Sequence, residues 1–163
     1  MSGLARAVSV AVLLASGAAW ASQMNVSRTE LCGVSDLVVV AEVTSGETRW
    51  ATGPAGSIER VRWLHVHDLV RGSTGDTIEV ILPGGTIGAT GQWVEDVPEL
   101  LGNTTYLLFL DAIESTTSSP GKASDSSFHV VGGEQGAIRV ARRAGERGEP
   151  LADVLASVEM CRG

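Results

Sequence analysis

Two imidazoles stand two positions apart in the apolar stretch WLHVHDLV, as His65 and His67, the interval at which side chains of a β-strand share one face. A pair so placed could hold zinc or copper, but a metal site needs a third ligand and an outer partner that fixes the ring tautomer. His129 falls in a different apolar segment, and no spacing ties it to the pair. Leu64 and Val66 read as the inward set, which leaves both histidines on the outer face beside Trp63. The first reading is a solvated strand face with no metal and no cofactor. A small-ligand or metal-binding envelope protein using this His-x-His strand is the second.

Other chemistries have less to build on. No G-x-S-x-G presents a serine on a tight turn, and H-E-x-x-H and a phosphate-cradling P-loop are both missing. Glu95, Asp96 and Glu99 form an acidic group without the spacing of an EF-hand loop, and they read as a solvated loop. Arg139, Arg142, Arg143 and Arg147 form the one basic run, broken by Glu146, and read as a water-facing connector. No catalytic residue emerges, so a non-enzyme is expected. Trp50 and Trp93 differ from these groups because each lies in a glycine-rich stretch outside the periodic strands. An exposed loop tryptophan is a binding anchor; one that folds back plugs the end of a core.

The elements that must position these residues begin after a leader. The first residues, MSGLARAVSVAVLLASGAAWASQ, carry one positive charge at Arg6, an apolar run and the small-residue site Ala19-Trp20-Ala21. That order is a secretory signal peptide over residues 1–21. Its apolar core is too short to span a bilayer, and RTEL before Cys32 is too polar for a lipoprotein signal, so no stable membrane insertion is expected. Residues 22–163 have the size of one domain. The formal net charge of -7 disfavours nucleic acid as a partner. Cys32 and Cys161 are the only cysteines, and after export an even pair reads as a disulfide.

Along the domain, Ser27 and Glu30 have capping-box spacing, with Val26 and Leu31 at the staple positions, so a short helix starts there and Gly33 is its stop. SDLVVVAEV places Leu37, Val39, Ala41 and Val43 on one face of a strand ended by Ser45-Gly46. TRWATGPAGS reads as a loop, and a long strand follows from Ile58 to Val70. After the turn RGSTGD come TIEVIL, the glycine-rich PGGTIGATG and the acidic WVEDVPELLGN. TTYLLFLD is the most apolar strand and belongs at the centre of the sheet. AIESTTSSPGKASDSS reads as a long loop, and FHVV and AIRVA as two short strands around GGEQG. Near the C-terminus, Leu151, Val154, Leu155 and Val158 fall on one helical face, with Cys161 at its flank.

The succession SDLVVVAEV, LVRGSTGDTIEVILPGG, TTYLLFL and VVGGEQGAIRV resembles uncharacterised exported bacterial proteins with a TIMP-like or netrin-module OB-fold, over residues 31 to 140. The resemblance implies an all-β, five-stranded OB-like antiparallel barrel with a short N-terminal helix and a C-terminal helix. It also implies a secreted metalloprotease as one protein partner. Tissue inhibitors of metalloproteinases chelate the protease zinc through an N-terminal cysteine, and Cys32 is the one matching position. Here, however, residues 22–31 precede it and the C-x-C start is missing. The expectation is therefore a secreted, periplasmic or cell-envelope binding module that meets a protein partner through barrel-end loops, with Trp50 and Trp93 as the contact residues.

Overall fold

The structure, a computed structural model, describes residues 25–51, 56–113 and 127–162. The leader at 1–21 lies outside them, as does nearly all of the serine- and threonine-rich segment. Helix α1 (Arg28–Val34) begins on the capping box. The Ser27 hydroxyl accepts from the Glu30 N–H at 3.3 Å, and the Glu30 carboxylate accepts from the Ser27 N–H at 2.8 Å. Two of the free amides at the helix start are thereby satisfied. The helix runs one residue beyond Gly33. Ser35 ends it instead, donating to the Leu31 carbonyl from both its N–H and its hydroxyl, at 3.1 and 2.7 Å.

Nine strands follow among the described residues: β1 (Leu37–Trp50), β2 (Ile58–Arg71), β3 (Thr77–Pro83), β4 (Gly85–Ile87), β5 (Thr90–Gln92), β6 (Thr105–Ala112), β7 (Ser127–Val130), β8 (Ala137–Ala141) and β9 (Glu149–Pro150). Five of them close a ring. β1 pairs with β2, β2 with β3, β3 with β7, β7 with β6, and β6 returns to β1. This is the expected five-stranded barrel, antiparallel at every seam except β3–β7, which is parallel. β8 pairs with the first half of β6 and β7 with the second half, so β7 and β8 share one edge of β6 on either side of the turn at Gly133–Gly136.

Bulges supply the curvature that closure requires. Along β1–β2 the register shifts between Val38 and Val39, between Val40 and Ala41, and between Val43 and Ser45. The last shift corrects one expectation. Ser45-Gly46 does not end β1, which continues to Trp50 opposite Ile58. Gly46 marks a close approach: a Cβ there would meet the Arg62 side chain at 2.5 Å and the Val61 carbonyl at 2.8 Å.

Residues 37–41 of β1 and 105–110 of β6 are buried on both faces. From β1, Leu37, Val39, Ala41 and Val43 pack inside the barrel with Leu64, Val80, Leu82 and Leu108. Val38 and Val40 join Leu107 and Phe109 in an outer cluster covered by Leu31 of α1 and Val154 of α2 (Leu151–Ser157). The Cys32–Cys161 disulfide lies in that outer cluster and ties α1 to the final 3-10 turn, Glu159–Arg162. Arg71, at the end of β2, donates to the Cys32 carbonyl. Helix α1 and the final turn are thus fastened to each other and to the barrel wall.

Candidate functional site

The tryptophans lie where the β1–β2 ribbon meets the small β4–β5 hairpin. Trp50 is the last residue of β1, paired with Ile58, so it belongs to a strand and not to the expected loop. Its partner Ile58 donates its N–H to the Gln92 side-chain oxygen at 2.6 Å and accepts from the Gly84 N–H at 2.8 Å. Those two bonds fix the hairpin against β2. Trp93 follows Gln92 directly, so both indoles occupy this end of the molecule. Trp50 is 48% exposed and Trp93 is 89% exposed, values at which neither ring plugs the core.

Below Trp93 opens a cleft of about 550 Å³, lined among others by Arg60, Gly85, Asp96, Glu99 and Glu134. Gly85, at φ +142°, allows the hairpin to lie this close, because a Cβ would meet Thr48 at 2.9 Å. On β2, Arg60 stands opposite Leu82 and Arg62 opposite Val80. Opposed residues share a face of the ladder, and Leu82 and Val80 belong to the barrel interior. Two arginines therefore finish the interior at this end. Arg62 donates from Nε to the Leu100 carbonyl at 3.1 Å. Burial, with the neighbouring Arg60 charge adding to it, holds its pKa below the ordinary guanidinium value. The Arg60 Nε is buried and has no hydrogen-bond partner among the described residues.

The acidic residues do not assemble into an ion cage. Asp96, at φ +57°, accepts the Glu134 N–H at 3.2 Å and so ties the wall of the cleft to the turn after β7. Tyr106 of β6 holds the other wall: its hydroxyl donates to the Glu99 carbonyl at 3.1 Å and accepts the Leu101 N–H at 3.0 Å. Neither Arg60 nor Tyr106 stood out in the sequence, because each sits in a strand whose other residues are ordinary wall. The signal available for Arg60 was its alternation with Arg62 and Leu64, which puts two arginines on the face that Leu64 turns to the interior.

The histidines sit on the opposite side of β2 from Leu64. His65 is exposed, and His67 is half-buried in the bulge between Val66 and Asp68. Their rings meet edge to face at 5.1 Å. The His67 Nε2 accepts from Arg142 at 2.8 Å and lies 3.2 Å from the Glu42 carboxylate. His129 is engaged elsewhere, with its Nδ1 3.1 Å from the Ile81 carbonyl. Among the described residues no group of three His, Cys, Asp or Glu side chains is placed to hold a metal ion. The four arginines of the basic run do come together, around a second cleft of about 430 Å³. The chain matches no family model, no curated protein and no solved structure.

Proposed function

We propose that the chain is an exported, non-enzymatic binding module that grips a partner protein with the cleft beneath Trp93. One observation carries this reading: a nearly fully exposed indole stands over a formed cleft lined by Arg60. Large aromatics with arginine beside them are also the residue types that dominate protein interfaces. Export is supported by the leader-like N-terminus and by the disulfide. Among the described residues no helix is long and apolar enough to cross a membrane.

A secreted metalloprotease is the sharper form of the partner. Cys32 is buried within α1 and its carbonyl is bonded to Arg71, so zinc chelation by that residue is not part of the proposal; the Trp93 cleft is the contact surface. The test is affinity capture from the exported fraction of the source, with wild-type, Trp93→Ala and Arg60→Gln baits compared quantitatively. A protein retained by the wild type and lost with both variants supports the reading. Identical captures by all three baits end it. Adding the purified protein at micromolar concentration to a panel of secreted zinc proteases decides the sharper form, which is abandoned if none is inhibited.

A further inference from the structure

The second cleft shares no lining residue with the first. It gathers Arg139 from β8 and Arg142, Arg143 and Arg147 from the connector to β9, opposite Asn103, Thr104 and Thr105 at the start of β6. Two carboxylates, Glu42 and Glu146, share this lining with the four guanidiniums. The whole chain is acidic, at -7, so a concave surface with two excess positive charges runs against its overall charge.

The connector's own bonding leaves that charge without a partner. Glu146 turns its carboxylate back on the backbone, accepting the N–H of Arg142 at 2.8 Å and of Arg143 at 3.1 Å. The bend it stabilises carries Arg143 and Arg147 into the cleft. Arg139 is set by a hydrogen bond to the Thr104 hydroxyl at 3.3 Å. Arg142 is set by His67 at 2.8 Å, with the Glu42 carboxylate 3.9 Å away. The guanidiniums of Arg143 and Arg147 make neither a hydrogen bond nor an ion pair among the described residues. Two positioned arginines thus flank two unengaged ones, around a volume within the range that accepts a small organic molecule.

We propose that this cleft binds a phosphate monoester, the group being held by Arg143 and Arg147 and flanked by Arg139 and the Thr104 and Thr105 hydroxyls. Guanidinium forks match phosphate and carboxylate oxygens alike, but charge separates the classes. A carboxylate or a sulfate monoester carries a single negative charge, whereas a phosphate monoester carries roughly 1.5 to 2 at neutral pH. Two excess positive charges from several directions fit the latter. The volume beyond the anion leaves room for the group that bears the ester, whether a soluble sugar or a lipid.

Isothermal titration calorimetry with the full oxidised chain, using glucose 6-phosphate and, in parallel, glucose 6-sulfate, tests the assignment. Vesicles of phosphatidylcholine with and without phosphatidic acid form the lipid arm. The expected result is binding to one or both phosphate carriers, weakened about tenfold or more by Arg143→Gln and by Arg147→Gln and unchanged by Arg162→Gln, a surface arginine outside the cleft. The arm that responds identifies the source of the ester. All three substitutions lie in exposed positions, and a thermal melt of each variant confirms folding before titration. No heat with either phosphate carrier, equal affinity for the sulfate ester, or equal weakening by Arg162→Gln overturns the proposal.

Discussion

The barrel interior and the outer cluster share strands β1 and β6 yet are held by different means. Inside, every contributing strand belongs to the closed ring, so Val39, Leu64, Val80 and Leu108 form a continuous wall supported by ladders on both sides. Outside, Val38, Val40, Leu107 and Phe109 are covered by two helices of seven residues each. Helices this short are not stable alone, because nucleation outweighs the few bonds they add. Covalent and polar ties compensate: the Cys32–Cys161 bridge, and Arg28, which reaches Glu149 at 2.6 and 2.7 Å and the Ser157 hydroxyl at 2.5 Å. Ladder closure secures one core, and cross-linking of α1 to the final turn secures the other.

The largest effect is expected from the bridge. It joins positions 129 residues apart, and loop-closure entropy assigns a loop of that order about 5 kcal/mol. A Cys32→Ser, Cys161→Ser double variant should lose most of that in denaturant unfolding. Its hydrogen exchange should rise first at the amides of α1 and of the Glu159–Arg162 turn, while β1 and β6 stay protected. Equal exchange in both regions would merge the two cores into one unit.

Next in size is cavity formation. Phe109→Ala in the outer cluster and Leu108→Ala in the interior should each cost roughly 3–4 kcal/mol. The comparison sharpens in the oxidised and reduced proteins measured side by side. Coupling to the disulfide is expected for Phe109 alone, and a double-mutant cycle that finds the same coupling for Leu108 contradicts the division.

A smaller effect tests the cap of α1. Ser27→Ala should destabilise by about 1 kcal/mol. The Ser27 N–H first and its hydroxyl second hold the Glu30 carboxyl below its ordinary value of 4.5, and Ser27→Ala removes only the hydroxyl's share. A depressed carboxyl stabilises the fold above the unfolded value and loses that contribution as pH falls through the folded one. The gap between wild type and Ser27→Ala should therefore narrow in acid below pH 4.5, measured by thermal melts across pH; a gap that widens there has the wrong sign.

Much of this architecture was legible from local signals. The capping box, the apolar alternation of β1, the continuous apolar run of β6 and the stripe from Leu151 to Val158 each report a nearest-neighbour requirement of the backbone or of one face. What escaped depends on partners distant in sequence. Gly46 resembles a turn residue because the Arg62 side chain that lies over it cannot be seen from position 46. Trp50 consequently reads as a loop residue. The bulge at His67 similarly breaks a strict period of two, and the His65–His67 pair is divided between solvent and the Arg142–Glu42 contact. The arginine run was visible as composition, whereas its convergence on Thr104 needed the β6–β8 pairing.

Among the described residues Trp93 is the most exposed large hydrophobic side chain, and that is why it bears the functional reading. A direct measurement pairs the thermal melt of Trp93→Ala with its capture of exported proteins. The account predicts a stability within about 0.5 kcal/mol of wild type, as for a surface substitution, together with loss of the captured partner. A destabilised variant, or a stable one that captures the same proteins as the wild type, contradicts it.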